Sequence, residues 1–335
     1  MSVRMRLWWF GAVAFVAMFG IGELAIWIGQ SPSWWAEDLV IYDAARRVVG
    51  GQALYADPKF FYPPVATLLG IPFLVLDRFG ASLVLAAGKI LLAAGCVLWL
   101  TTSWRAADRA LAFVGLVTSL PFLHDLMLGN TNVLVVGAMA AAVVGRSHPW
   151  NGVLLGLAAA AFAKPLMIPV LLWLLVRRRE TFVGAVAAGA VGSAVGVAVF
   201  GLGAYGDWIE GVRAGSIWLS TPFAGNHGVT AILPALWPPV AAITAVLLIL
   251  VLANGGPRTG LVWALASGIL LVPYAGTYSA LPIALALRAI GPLAPTLAFV
   301  IVAISPIATT IPLPFYAAGI LLASLTLHEP AGPGP

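Results

Sequence analysis

The sequence predicts an all-α polytopic membrane protein, and three observations support this fold class. Hydrophobic residues make up 61% of the 335 positions, charged residues only 9%, and the mean hydropathy is +1.02. Soluble domains contain about 45–50% apolar and about 25% charged residues. The apolar runs are long and rich in Ala, Leu, Val and Gly, whereas a membrane β-barrel shows short alternating segments. Soluble enzymes, disordered chains and outer-membrane barrels are therefore excluded.

The length of the apolar runs predicts one integral membrane domain over residues 1–327. Because about 20 apolar residues cross a bilayer, we expect a bundle of about 9–12 transmembrane or half-depth helices. The first is expected over residues 7–29 and is retained, since it contains no small-residue cleavage site. Polar outer loops are expected at about residues 30–62 and 204–228, and a disordered tail at 328–335.

Three local patterns predict departures from simple spanning helices. The segment EDLVIYDAARRVVGG predicts a short amphipathic helix on the outer face, stopped by Gly50 and Gly51. Prolines leave residues 65–76 too short for a comfortable span, which favours a re-entrant or tilted half-helix. Lys164 and Pro165 interrupt the apolar run 150–176, which is either one long helix or two short helices meeting inside the membrane.

The distribution of charge predicts the orientation and the compartment. If Arg4 and Arg6 are cytoplasmic, the arginine run 177–179 is cytoplasmic too and most acidic residues lie outside. We therefore expect a multi-pass protein of the plasma (cytoplasmic) membrane. The net charge of +5 is explained by this asymmetry, so no nucleic-acid partner is expected.

Two groups of charged residues are candidates for chemistry. Glu37, Asp38 and Tyr42 lie near the membrane surface, with Asp38 and Tyr42 on one helix face. A carboxylate there could serve as a general base for a substrate hydroxyl. The alternative, which composition alone favours, is a solvated acidic helix start that interacts with the helix dipole. Lys164 is a costly intramembrane charge, which indicates a function with a phosphate or carboxylate partner; the alternative is a lysine that snorkels to an interface.

Two polar segments between apolar runs are candidate ligand contacts. They contribute His124, Asp125, Asn130 and Asn132 in HDLMLGNTN, and Asn226 and His227 in TPFAGNHGV. Polar groups at a helix break suit sugar hydroxyls or a phosphodiester, although an ordinary polar turn has the same composition. No cofactor motif is present, and a divalent metal is left open because a third ligand is not evident.

The order of several motifs is similar to a known family. They are an acidic residue followed by a tyrosine, AARRVVGGQALY, FFYPPVATLLGIPF, LGNTNVLVVG, GVLLGLAAAAFAKPLMIPVLLWLLVRRR and GNHGVTAIL. Together, over residues 38–232, they resemble the polyprenyl-phosphate-mannose-dependent mannosyltransferases of glycosyltransferase family 87 (DUF2029), which are integral membrane enzymes with the GT-C fold.

The resemblance implies a hexosyltransferase whose donor is a polyprenyl-phosphate sugar used on the outer face. Asp38 would be the general base of an inverting transfer to a lipid or glycan acceptor, and Lys164 would hold the donor phosphate. The implied sugar or acceptor contacts are Glu37, Tyr42, Tyr62, His124, Asp125, Asn130, Asn132, Asn226 and His227. The family's glutamine is replaced by Asn130, and its Asn-Gln-Ser by Asn226-His227-Gly228.

Two other classes of protein share part of this pattern. Broken helices with an intramembrane charge at a proline are also typical of a lipid-linked substrate transporter or flippase, but no pair of related halves is present. A non-catalytic subunit of a cell-envelope complex is the third reading. It predicts that Asp38→Asn and Lys164→Ala are tolerated.

Overall fold

The computed structural model describes residues 3–30, 39–57, 59–219, 226–232, 234–304, 313–325 and 327. Within these ranges the chain forms helices and no strand, which confirms the all-α prediction. The α-helices of this part of the chain are α1 (Val3–Gln30), α2 (Val40–Val49), α3 (Thr67–Gly70), α4 (Arg78–Leu100), α5 (Ala106–Val117), α6 (Leu120–Met127), α7 (Asn132–Val143), α8 (Pro149–Phe162), α9 (Ile168–Arg177), α10 (Arg179–Leu219), α11 (Val229–Ile232), α12 (Trp237–Asn254), α13 (Pro257–Leu271), α14 (Leu287–Ile290), α15 (Leu293–Ile304) and α16 (Leu313–Ser324). The 3₁₀ segments are Leu54–Ala56, Pro64–Ala66, Ile71–Val75, Pro165–Met167, Pro234–Leu236 and Thr277–Ala286.

The helices divide into long spans and short apolar helices. Among the described residues, four helices are long and apolar enough to cross a membrane: Val3–Ile26, Arg78–Leu100, Arg179–Gly215 and Pro234–Asn254. The α5 and α6 pair, bent by 52°, makes a fifth if it is one broken span. The other apolar helices have 10–17 residues. A polytopic membrane protein with full-length and shorter helices is therefore confirmed.

Helices α7 and α13 form the centre of the bundle. Both are apolar around their whole circumference, and most of their side chains are buried. A helix without a polar face has to be enclosed by its neighbours. Helices α4 and α8 accordingly pack against α7, while α9, α12 and α16 pack against α13.

Small residues bring α8 unusually close to α10. A Cβ atom added at Gly152 would overlap the carbonyl oxygen of Thr181, and one at Gly156 would overlap that of Ala185. Small residues at such positions let membrane helices approach until their backbones touch. The Thr181 hydroxyl also donates to the carbonyl of His148 at 3.2 Å. This packing fixes α8, whose C-terminal end forms part of the candidate site.

The three predicted departures from spanning helices are present. Helix α2 ends at Val49, and Gly51 takes the left-handed conformation (φ 73°) that stops it. Residues 64–75 form a 3₁₀ turn, the four-residue α3 and a second 3₁₀ turn. The run 150–176 is two helices, α8 and α9, because Ala163 is left-handed and Pro165 begins a 3₁₀ turn.

Residues 204–219 of the predicted outer loop 204–228 are helical and belong to α10. The prediction relied on polar residues, but these residues lie on a helix that bends at Gly201 (φ 78°). A straight helix would separate residues 193 and 205 by about 18 Å. The Tyr205 hydroxyl instead donates to the Ser193 carbonyl at 3.3 Å, so the chain turns back after Gly201. Residues 220–225 and the predicted tail 328–335 lie outside the described residues.

Replacing Gly156 by alanine is expected to destabilise the protein. The added methyl group meets backbone atoms of α10, and such overpacking costs about 1–3 kcal/mol of unfolding free energy. Thermal unfolding in detergent measures the loss. The matched control is Gly206→Ala in α10, where a Cβ finds open space and the melting temperature should stay equal or rise. Equal losses for both variants would contradict the close packing.

Candidate active site

The break between α8 and α9 holds the Lys164 side chain at the centre of a polar cluster. The Lys164 ammonium donates to the side-chain oxygen of Asn130 at 2.7 Å. Because Pro165 has no N–H group and Ala163 is left-handed, α8 cannot continue through this point. A left-handed alanine costs about 1–2 kcal/mol, so the surrounding contacts have to hold it. The break in the backbone and the charged side chain of Lys164 therefore occur at the same point of the chain.

The side-chain oxygen of Asn130 receives more donors than it can satisfy. In addition to Lys164, the Thr131 backbone N–H donates at 2.7 Å, the Asn132 amide at 3.0 Å and the Tyr62 hydroxyl at 3.3 Å. A carbonyl oxygen has two lone pairs. The cluster therefore has surplus donor capacity next to a positive charge, which is the property of an anion-binding site.

Tyrosine rings complete the surroundings of Lys164: Tyr62, which the sequence indicated, and Tyr278, which it did not. The ammonium lies 5.7 Å from the ring centroid of Tyr62 and 5.8 Å from that of Tyr278. Cation–π contacts at this range stabilise a partly desolvated charge. The Tyr278 and Tyr274 hydroxyls are 2.8 Å apart. The segment PYAGTY, a proline- and glycine-containing break between apolar runs, was the available sequence signal for these residues.

Two cavities meet at the cluster. The first, about 480 Å³, is the lysine cavity, which includes Lys59, Phe61, Tyr62, Asn130, Phe162, Lys164, Trp208, Tyr274 and Tyr278. The second, about 540 Å³, is the apolar cavity, which includes Leu39, Tyr42, Leu69, Phe73, Val84, Gly88, Leu92, Asn130 and Phe162. Asn130 and Phe162 line both, so the polar cluster lies at the junction of a charged and an apolar compartment.

A smaller pocket opens on the other side of Lys164. Its volume is about 150 Å³, and Asn132, Tyr278 and Ser279 line it together with α13 residues. The side-chain oxygen (Oδ1) of Asn132 is buried without a hydrogen-bond partner. A buried amide group without a partner is costly, so this atom is available to a ligand hydroxyl.

Asp125 is fully buried below the cluster rather than on a cavity wall. Its carboxylate pairs with the Lys89 ammonium at 2.9 Å, and both side chains have no exposed surface. The carboxylate also accepts the backbone N–H of Asn132 at 2.8 Å. The predicted direct sugar or acceptor contact of Asp125 has no geometric support, because these partners occupy its oxygens.

The predicted general base lies outside the described residues, as does Glu37. The residues that follow Asp38 directly are described: Leu39 lines the apolar cavity and Val40 lines the lysine cavity. Tyr42 lines the apolar cavity as well, and its hydroxyl donates to the Leu76 carbonyl at 3.0 Å. The start of α2 therefore adjoins both compartments.

An ion pair fixes α2 against the start of α4. The Arg78 guanidinium lies 2.8 Å from the Asp43 carboxylate. Burial raises the pKa of Asp43 above its usual value, and the Arg78 charge opposes that shift.

His124, Asn226 and His227 form a second polar group that does not line the lysine cavity. The Nδ1 atom of His124 and the Thr277 hydroxyl are 2.6 Å apart. The Asn226 amide donates to the Thr230 hydroxyl at 2.7 Å, and the His227 backbone N–H donates to Ala275 at 2.8 Å. Burial lowers the pKa of His227, which favours its neutral form. Residues 273–278 connect this group to Tyr274 and Tyr278.

No group of three or more His, Cys, Asp or Glu side chains suited to hold a metal ion occurs in the described part of the chain.

The predicted polar segment 124–132 is shorter than expected. His124 and Asp125 belong to the last turn of α6, and Asn132 begins α7.

Comparison with known proteins identifies the family. No curated protein and no solved structure matches the chain, and the GT-C bundle stays a prediction. The model of glycosyltransferase family 87 matches residues 60–275, which is more than half of the chain. The matched region contains Tyr62, Asn130, Lys164 and His227, and it begins after Asp38. Together with its membrane-spanning helices, this match shows that the chain is a membrane glycosyltransferase that belongs to glycosyltransferase family 87.

Proposed function

We propose that the protein transfers a hexose, with mannose as the first candidate, from a polyprenyl-phosphate donor to a hydroxyl group of a lipid or glycan acceptor. The observation that carries this proposal is the convergence of the Lys164 ammonium and three further donors on the single oxygen of Asn130. A phosphate offers several anionic oxygens, and it would take up the donor capacity that Asn130 leaves unused.

The two cavities support a donor that is part lipid and part sugar phosphate. The apolar cavity is lined mainly by aliphatic and aromatic side chains of α2, α3 and α4, and it suits an isoprenoid chain. The lysine cavity carries the charged and tyrosine side chains, and it suits the sugar. With the phosphate at Asn130, where the compartments meet, the two parts of the donor would each face matching chemistry.

Lys164 would act mainly on the leaving group. As the acceptor oxygen attacks the anomeric carbon, the bond from that carbon to the phosphate oxygen breaks and its electron pair stays on the phosphate. A fixed ammonium then interacts more strongly with the leaving phosphate than with the intact phosphodiester. Interactions that strengthen in the transition state raise the rate, whereas equal binding of both states does not.

Asp38 would take the proton of the acceptor hydroxyl during the attack. Its immediate neighbour in sequence, Leu39, and the next residue, Val40, line the apolar and the lysine cavity. A base and a leaving-group contact on opposite sides of the sugar give inversion at the anomeric carbon. We further propose Tyr62, Asn132, Tyr274 and Tyr278 as sugar contacts.

The acceptor would approach from the outer face of the plasma membrane. The positive-inside distribution of arginines supports an outer location for the start of α2 and the lysine cavity. Glu37 and Tyr42, near Asp38, and the second polar group of His124, Asn226 and His227 are then the proposed acceptor contacts.

Replacing Lys164 by methionine is expected to lower transfer by about 10²–10³-fold, because one fixed charge at the leaving group is lost. The rate of mannose transfer is measured with purified protein in nanodiscs, supplied with polyprenyl-phosphate-mannose and a panel of mannosylated acceptors. Lys164→Arg keeps the charge and should retain more activity. Arg105→Met, which removes an exposed cation at the start of α5, is the control and should transfer at the wild-type rate.

Two results would contradict this assignment. Full transfer by a folded Lys164→Met variant would remove Lys164 from the phosphate site. Absence of transfer by the wild-type protein with every polyprenyl-phosphate sugar, combined with movement of the donor between leaflets of proteoliposomes, would support the transporter alternative.

Replacing Asp38 by asparagine is expected to lower kcat by about 10²–10⁴-fold with a small effect on the donor KM, because a general base acts in the chemical step. The same transfer assay under donor saturation measures it. Asp57→Asn, in the same loop but paired with Arg47, is the matched control. Retained turnover in Asp38→Asn would move the base to Glu37.

Filling the apolar cavity is expected to weaken binding of a long donor. Gly88→Leu on α4 adds a side chain that points to open space in this cavity, so the donor KM should rise at least about tenfold. A donor with a short isoprenoid chain should be affected much less. Gly95→Leu is the control, because Gly95 lies two turns along the same helix and also faces open space. It should leave the KM of the long donor and the KM of the short donor unchanged. Equal effects on both donors would contradict the lipid assignment.

A further inference from the structure

The buried ion pair of Lys89 and Asp125 lies behind the anion site and is not explained by the proposed transfer itself. The Lys89 ammonium is 2.9 Å from the Asp125 carboxylate and also donates to the Asp125 carbonyl at 2.8 Å. Lys89 lies in the candidate span Arg78–Leu100, and neither side chain is exposed. Burying two charges in an apolar bundle is costly even when they are paired. A contribution to stability therefore does not explain why the pair is present.

Asp125 holds the backbone of Asn130, the acceptor of Lys164, and of Asn132. Its side-chain oxygen accepts the backbone N–H of Asn132 at 2.8 Å, and its carbonyl accepts the backbone N–H of Asn130 at 3.0 Å. Asn132 in turn donates its side-chain amide to Asn130, the acceptor of Lys164. A short series of hydrogen bonds therefore links the Lys89–Asp125 pair to the ammonium of Lys164.

The two buried charges act on Lys164 with opposite signs. The Asp125 carboxylate attracts the Lys164 ammonium, and the Lys89 ammonium repels it. At the low effective dielectric of a protein interior, either charge alone would change the potential at the site substantially. While the two are paired they largely cancel, and the single positive charge of Lys164 remains for a ligand anion.

We infer that Lys89 and Asp125 are positioning residues that keep the anion site at one net positive charge while they fix the turn bearing Asn130 and Asn132. This inference rests on the proposed phosphate donor. It differs from a purely structural role because it predicts effects of opposite sign for the two partners. Loss of Lys89 leaves a carboxylate that repels phosphate, whereas loss of the Asp125 charge leaves an additional cation.

The test is binding of polyprenyl phosphate to the full-length protein in nanodiscs, measured for Lys89→Met, Asp125→Asn and the double variant. We expect Lys89→Met to weaken binding about tenfold, since an uncompensated buried charge now faces the anion. Asp125→Asn keeps the acceptor for Asn132 and leaves an additional cation, so binding should become tighter. The double variant restores the charge balance and should bind within about threefold of the wild type.

Folding is checked by thermal unfolding of each variant. If Lys89→Met does not fold, Lys89→Gln carries the same expectation, because its amide still donates to Asp125 while the charge is gone. Weakening of similar size in both single variants, with the double variant as weak or weaker, would overturn the charge-setting role. Absence of binding by the wild type would instead overturn the proposed donor, so the two failures are distinguishable.

Discussion

The placement of one ammonium group inside an apolar helical bundle governs the organisation of this protein. A charge in such surroundings needs polar partners that a continuous helix cannot supply. Lys164 obtains them from the Asn130 oxygen and the rings of Tyr62 and Tyr278. Lys164, Asn130 and Tyr278 each lie on irregular backbone: the break after α8, the turn between α6 and α7, and the 3₁₀ segment Thr277–Ala286. These segments line a cavity, where a membrane protein tolerates irregular backbone.

The charged residues below the candidate site form a neutral pair, whereas the site itself carries the positive charge of Lys164. Lys89 and Asp125 neutralise each other, whereas Lys164 faces a neutral amide oxygen that is already oversubscribed by donors. An arrangement that satisfied Lys164 with a carboxylate would be more stable and would leave little attraction for a ligand anion. This arrangement is the one expected if a negative charge develops at the site during a reaction, as the proposed transfer requires.

The sequence predicted the features that depend on residues close together in the chain. Periodicity and paired glycines located α2, prolines located the short segment 64–75, and the cost of a buried charge pointed to Lys164. Contacts between distant residues were not accessible in this way: Lys89 meets Asp125 across 36 positions, and His124 meets Thr277 across 153. Asp125 accordingly resembled a ligand contact in sequence, and its buried pair with Lys89 could not be foreseen. The bend of α10 was missed because Gly201 lies in a run already rich in small residues, where one more glycine carries no signal.

The limits of the family match divide the proposed site into two parts. The contacts assigned to the leaving phosphate, Lys164, Asn130 and Tyr62, all lie within residues 60–275. Of the residues proposed for the acceptor, Glu37, Asp38 and Tyr42 precede that region, whereas His124, Asn226 and His227 lie within it. Recognition of a lipid phosphate needs a similar charge whatever the acceptor, whereas the acceptor contacts have to differ with its chemistry. The start of helix α2, held to α4 by the Asp43–Arg78 pair, carries the contacts outside the family match and is therefore one element in which we expect acceptor specificity to be encoded.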